Sequence, residues 1–162
     1  MKIPEEIAPA TKKALLRLSM GDLTVEEMRG YLTDPKRKST AFSEEVADRC
    51  VYLWVQEGYL DDLRYLKLCL RRYDGRHFGP RRIRQELGKR KFSQKYIEAA
   101  LNRSVDWRAR ASAALADKTK GKTLPQTPQE AKKLLDYLVR QGYDYTTAKE
   151  ALSRLAEDDF SD

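Results

Sequence analysis

An all-α fold is what this chain of 162 residues predicts, and three observations carry the reading. Apolar residues recur at three- and four-residue spacing in almost every segment, and no stretch alternates convincingly as a half-buried strand does. Helix punctuation is frequent. Thr24 with Glu27 and Thr127 with Glu130 have capping-box spacing, Pro80 and Pro128 suit first helical positions, and Gly58, Gly75 and Gly142 are natural stops. The pattern also repeats along the chain at a fixed offset, which points to an array of similar units.

The first helix is expected over roughly residues 5–19, with Leu15 and Leu18 on its apolar stripe. A second starts at the Thr24 cap and carries Met28 and Leu32. The basic stretch at residues 35–40, containing "KRKS", reads as a solvated insertion more readily than as a nuclear signal. Phe42, Ala47 and Val51 then continue the apolar pattern towards Gly58. Asp61 and Asp62 precede a longer helix, roughly 61–74, with Leu63, Leu66, Leu70 and Tyr73 as its stripe. Adjacent helical residues point about 100° apart, so the two aspartates read as an N-cap and a dipole complement, not as a shared metal or proton site.

Gly79-Pro80 opens the next helix, with Ile83 and Leu87 inward, and Phe92 plugs the turn before Ile97 and Leu101. A long helix at roughly 106–118 carries Trp107, Ala111, Ala114 and Leu115. Beyond Thr127, the residues Ala131, Leu134, Leu135 and Leu138 fall at i, i+3, i+4 and i+7, followed by Tyr143, Ala148 and Leu152. Tyr52, Trp54, Tyr65, Tyr73, Tyr96, Trp107 and Tyr137 lie in helical stripes. They are expected in the core, since a base-stacking platform needs several exposed rings side by side.

"RRIRQELGKRKFSQKYIEAAL" (81–101) aligns without a gap on "KKLLDYLVRQGYDYTTAKEAL" (132–152). Ile83 matches Leu134, Leu87 matches Leu138, Phe92 matches Tyr143, Ile97 matches Ala148 and Leu101 matches Leu152, an offset of 51 residues (134 − 83) throughout. A third copy at 26–51 fits with about five inserted residues, placing Met28, Leu32, Phe42, Ala47 and Val51 at the same positions. Each copy follows a longer helix. The expected architecture is therefore a tandem repeat of three three-helix modules, 1–58 (with the insertion), 59–104 and 105–162, elongated and curved. A single irregular bundle with coincidental copies is the alternative.

Charge sharpens the picture. Charged residues make up 35% of the chain, against about 25% in an average globular protein, and the net charge is +7. Between residues 71 and 95 there are ten basic residues (Arg71, Arg72, Arg76, Arg81, Arg82, Arg84, Lys89, Arg90, Lys91 and Lys95) against Asp74 and Glu86, a balance of +8. On a helix from Pro80, Arg81, Arg84 and Gln85 share one side while Arg82, Glu86 and Lys89 share another, so cations flank the narrow apolar stripe. Solubility is the competing explanation, but it needs mixed signs, and this surface is nearly all positive. A polyanionic partner is favoured.

Catalytic chemistry is not legible. His77 is the only histidine, beside a glycine turn in "DGRHFG" and without an evident acid, base or orienting partner. Cys50 and Cys69 lack zinc spacing, and a disulfide is not expected of them. No phosphate-loop motif occurs. No catalytic residue, metal or cofactor is therefore expected. No apolar run approaches about 18 residues, and "MKIPEEIAPATKK" has no signal-peptide core, so a cytoplasmic protein without a membrane partner is expected.

Three stretches, "GYLDDLRYL" (58–66), "FGPRRIRQELGKRKFSQKYIEAAL" (78–101) and "LLDYLVRQGYDYTTAKEAL" (134–152), resemble the RecX family of regulatory proteins of the RecA recombinase. The family pattern there is a glycine-aromatic turn into a double Asp, a glycine-led Arg-Ile and Glu-Leu helix, and a Leu-Arg-Gly-aromatic turn. "GKRKF" departs from it by lacking the glycine usual before the turn residue, and Tyr143 stands where Phe is common. The resemblance implies a monomeric repeat protein lying in the groove of the RecA filament on single-stranded DNA. There it would inhibit strand exchange, ATP turnover and coprotease activity and promote disassembly or block extension. Arg81, Arg82 and Arg84 match the family's basic helix and are the first candidates for filament or phosphate contact, with Arg71, Arg72, Arg76, Lys89, Arg90 and Lys91 extending the set. The competing reading is a stand-alone DNA-binding protein using residues 80–90 as a recognition helix.

Overall fold

The structure, a computed structural model, describes residues 1–37 and 41–159; the end of the 35–40 insertion lies outside the described residues. Among the described residues there are nine α-helices and no strand. They are α1 (Ala8–Leu18), α2 (Val25–Thr33), α3 (Glu44–Gln56), α4 (Asp62–Gly75), α5 (Pro80–Lys89), α6 (Gln94–Leu101), α7 (Trp107–Thr119), α8 (Pro128–Gln141) and α9 (Tyr145–Asp158).

Local signals explain most helix starts. The Thr24 hydroxyl accepts from the Glu27 N–H while the Glu27 carboxylate accepts from the Thr24 N–H, the full reciprocal cap, with the Thr24 side contributing about 1 kcal/mol. The expected box at α8 forms by half. Thr127 accepts from the Glu130 N–H, but Glu130 reaches past Thr127 to the Gln126 N–H at 2.6 Å. Asp61 caps α4 by accepting from the Arg64 N–H. Asp62 does something the sequence does not reveal: its Oδ1 accepts from the N–H of Val25, the first residue of α2, at 2.9 Å. Burial pushes the Asp62 carboxyl above its ordinary pKa, against the opposing pull of that N–H.

The chain divides into two compact units, Met1–Leu68 with Lys89–Tyr96, and Cys69–Gly88 with Ile97–Asp162. In the first unit α1, α2 and α3 pack mutually around Ala10, Ala14, Met28, Leu32, Ala47, Cys50, Val51 and Trp54. Small residues on α1 and α3 let those helices approach closely. This displaces the expected stripe on α1, whose buried face is Ala10, Thr11 and Ala14, so Leu15 is exposed. Tyr52 likewise lies off the Ala47–Cys50–Val51–Trp54 face of α3 and is 68% exposed, contrary to its expected core role. Leu63 is also exposed, since the buried stripe of α4 begins at Tyr65.

In the second unit α7, α8 and α9 surround Ala111, Ala114, Leu115, Leu138, Tyr143, Ala148 and Ala151. Here α5 begins where α8 ends. The Gly79 N–H donates to the Gln141 carbonyl at 2.8 Å and the Arg81 N–H to the Gly142 carbonyl at 3.1 Å. Orphan donors of one helix start thus meet acceptors at another helix end, which satisfies both without side chains. The approach is so close that a Cβ on Gly79 would lie 2.5 Å from the Gly142 carbonyl carbon, and one on Gly142 only 2.4 Å from the Arg82 nitrogen. Gly142 has φ 107°, which favours glycine a second time. Lys91 adopts the same left-handed region at φ 58° without being glycine.

Candidate polyanion-binding residues

The candidate cations fall in both units. In the second unit, α4 buries Cys69, Leu70 and Tyr73, which leaves Arg71 and Arg72 on its outer side. Arg76 follows in the turn, exposed, its carbonyl accepting from Gln141 Nε2. Arg81 is exposed at the start of α5, and no carboxylate among the described residues lies within ion-pair distance of Arg71, Arg72, Arg76 or Arg81. Asp144 feels Arg81 at longer range. Its hydrogen bonds from Thr147 chiefly hold its carboxyl below the ordinary value, opposed by slight desolvation, and the Arg81 charge adds to them.

Arg82 and Arg84 are engaged. Arg82 lays its guanidinium 4.5 Å from the Phe78 ring centroid, donates to Glu86 Oε1 at 3.3 Å and to the Arg140 carbonyl at 3.1 Å. Arg84 pairs with Glu98 at 2.9 Å, both side chains about half exposed, a pair worth roughly 0–1 kcal/mol. Arg82 therefore braces the α5–α8 junction, while Arg84 is held by a bond that a stronger anion can replace.

In the first unit, Lys89 and Lys91 are exposed, and the Lys91 ammonium lies over Gly30 of α2. Arg90 is half-buried. It donates to the Tyr65 hydroxyl at 2.7 Å, its guanidinium sits 5.8 Å from that ring, and its carbonyl accepts from the Thr24 hydroxyl. It is a packing residue as placed.

Asp74, one of two acids in the basic window, neutralises none of the window's own cations. It takes a bidentate bond from Arg103 (2.9 and 3.0 Å) and an ion pair from Arg110 at 2.9 Å. Burial pushes its carboxyl up, but the two arginines outweigh that and hold it below the ordinary value. Arg110 also donates to the Phe78 carbonyl and faces Trp107. This node joins α4 to α7 and was not legible in the sequence, because its members are about thirty residues apart.

His77 has φ 55°, pairs with Asp117 at 2.6 Å, a partner that the sequence does not reveal, and offers its carbonyl to the Tyr143 hydroxyl. Cys50 and Cys69 are both buried and neither is in a disulfide; burial, against a weaker pull from Trp54, pushes the Cys50 thiol up to about 11. Among the described residues no group of His, Cys, Asp or Glu is placed to hold a metal ion, and no helix is long and apolar enough to cross a membrane.

The chain matches no protein-family profile. It is 31% identical over 151 residues to regulatory protein RecX of Pseudomonas putida, covering 93% of this chain and 96% of that one. Regulatory protein RecX of Vibrio vulnificus is 30% identical, with 86% and 88% covered. The crystal structure of RecX from Lactobacillus salivarius has the same fold, with a TM-score of 0.69 at 18% identity over 95% of this chain and 99% of that one.

Proposed function

Because the chain belongs to the RecX family of regulatory proteins, we propose that it is a non-enzymatic cytoplasmic regulator of the RecA recombinase. It binds the RecA filament on single-stranded DNA and inhibits or disassembles it, and so modulates recombination, the SOS response and DNA repair. The observation that carries this reading is the similarity to relatives named regulatory proteins over almost their whole length.

The architecture suited to that task is the three-module array, 1–58, 59–104 and 105–162, elongated and curved, acting as a monomer. Matching local chemistry supports it. Ser43, Ser93 and Asp144 each accept from an N–H three residues on, and each follows the turn aromatic Phe42, Phe92 or Tyr143. Lys91 and Gly142, 51 positions apart (142 − 91), share the left-handed backbone. Arg71, Arg72, Arg76 and Arg81, with Lys89 and Lys91, make the polyanion contacts; Arg84 joins by releasing Glu98, Arg82 positions α5, and Arg90 packs against Tyr65. Several modest contacts along one chain gain affinity through effective concentration.

The second reading, a stand-alone DNA-binding protein with α5 as recognition helix, meets a geometric objection. Such helices present their N-terminal residues to base edges. Here the first turn of α5 donates to the end of α8, and Arg82 is spent on Phe78, Glu86 and Arg140. The test adds the protein at a small molar fraction to recombinase on single-stranded DNA and follows ATP turnover. Turnover is expected to fall well below stoichiometric addition, and reversing Arg81 and Arg84 to Glu weakens the effect. Unchanged turnover with tight binding to naked DNA favours the second reading. A radius of gyration near the roughly 15 Å of a compact ball of this length contradicts the elongated array.

A further inference from the structure

Three cations converge on one aromatic ring in the first unit. The Tyr31 ring centroid on α2 lies 4.6 Å from the Arg37 guanidinium carbon, 5.0 Å from Lys13 Nζ and 5.9 Å from the Arg17 guanidinium carbon. Lys13 also stands 5.5 Å from the centre of the Phe42 ring. Lys13 and Arg17 are i and i+4 on α1 and so share a face. Arg37 closes the short turn Pro35–Arg37, where Asp34 approaches it at 3.7 Å.

Gathering like charges has a cost, visible at Lys13. Burial, then the Arg37 charge, lowers its pKa, and Asp34 compensates only in part. The rings offset some of the repulsion, since each cation–π contact at an exposed site contributes about 0.5–1 kcal/mol. A bound anion would offset more, and a lysine perturbed by burial and a neighbouring charge, drawn together with two arginines around one ring, marks a functional site more often than chance surface charge does. The choice of anion follows from the rings. Single-stranded nucleic acid is held by cations along the backbone together with aromatic or guanidinium planes on which bases stack. An acidic peptide needs the cations alone. Arg37 has its guanidinium over Tyr31 and its side chain 51% exposed, a stacking plane backed by a ring.

We infer that Lys13, Arg17, Arg37 and Tyr31 form a binding site for single-stranded nucleic acid, the cations meeting phosphates and a base stacking on Arg37. The site deepens the function proposed above and rests on it only for the identity of the polymer; it uses none of the cations between residues 71 and 91. It gives a role to part of the basic insertion that composition alone reads as solvated surface.

The test is fluorescence anisotropy of a labelled oligothymidylate with the full-length protein, without recombinase, across a salt series. The double variant Arg17→Glu/Arg37→Glu is expected to bind at least about tenfold more weakly, with the slope of log K against log salt reduced by about 1.4, or about 0.7 for each of two phosphates. Arg37→Lys keeps the charge and removes the plane; it is expected to keep the slope and lose about fivefold in affinity, the low end of base stacking. Unchanged affinity and slope in a double variant that melts like the wild type would overturn the site. So would loss of oligoglutamate binding with oligothymidylate binding intact, which identifies a protein-docking surface. Strand binding lost in the double variant, beside a wild type that never slows recombinase ATP turnover, supports this site and rejects the regulator reading.

Discussion

Replacing Gly79 with Ala adds one methyl group at the α5–α8 junction, and the structure sets the size of the effect. The new Cβ meets only backbone: the Gly142 carbonyl carbon at 2.5 Å, its oxygen at 2.6 Å and the Tyr143 nitrogen at 2.8 Å. No flexible side-chain end is there to move aside. Reaching an ordinary 3.4 Å contact requires the two segments to part by about 0.9 Å. That separation carries the Gly79–Gln141 and Arg81–Gly142 bonds, now 2.8 and 3.1 Å, beyond the useful range of about 3.2 Å. Overpacking costs about 1–3 kcal/mol, and two lost backbone bonds about 0.5–1.5 kcal/mol each. Gly79→Ala should therefore destabilise by about 2–6 kcal/mol, a large part of a typical 5–15 kcal/mol. Gly88 is the control. It sits in the same helix with nothing within 4 Å of its would-be Cβ, so Gly88→Ala should stabilise by about 1 kcal/mol. Urea unfolding followed by far-ultraviolet circular dichroism measures both. A Gly79→Ala midpoint within about 0.5 kcal/mol of wild type refutes the packing argument.

Three further outcomes are expected. Lys91→Gly relieves a left-handed lysine and should raise stability by about 1 kcal/mol in the same urea experiment. Asp74→Asn leaves Arg103 and Arg110 without their carboxylate and should cost about 2 kcal/mol at pH 7, discounted for an aspartate side chain one-third exposed. Because the folded Asp74 pKa is depressed, its contribution is complete above the unfolded value of about 3.9 and is lost as pH falls through the folded value, so wild type and variant should converge on acidification. Asp62→Ala removes the carboxylate that caps α2 and should cost about 1 kcal/mol, seen as faster amide exchange in the first turn of α2.

The parts of this fold that were legible are those written in local code. A threonine three residues before a glutamate, a proline at a helix start and a glycine at a stop report on their own turn, and α2, α5 and α8 begin or end close to where those residues stand. Pairs remote in sequence were not legible. Gly79 reads as a start and Gly142 as a stop, but that the two touch is a fact of packing. Asp62 capping α2 and Tyr31 gathering Lys13, Arg17 and Arg37 are of the same kind. For the candidate cations of α5, periodicity told which side each occupies and could not tell that Arg82 would be met by Arg140, nor that Arg90, just past the helix, would be met by Tyr65. Leu15 misled for a related reason. The alanines of α1 give close approach to α3, and close approach outweighed the larger side chain's claim to the interior.

Charge counted along the sequence treats neighbours as neutralising one another, whereas side chains neutralise whatever the fold brings near. Asp74 is counted against Arg71, Arg72 and Arg76, yet its carboxylate goes to Arg103 and Arg110, which lie outside the window. Glu98, also outside it, takes Arg84. The difference decides which variants are informative. Reversing Arg82 would break the Phe78, Glu86 and Arg140 contacts, so lost activity would report on the α5–α8 junction as much as on any partner. Reversing Arg81 touches no ion pair among the described residues, and its backbone bond to Gly142 survives any side chain. If polyanion contact is the purpose of this surface, Arg81→Glu should lower affinity and salt slope with an unchanged unfolding midpoint. Arg82→Glu should lower the midpoint as well, and a pair of variants with the opposite ranking would mean that the charge of α5 serves the fold alone.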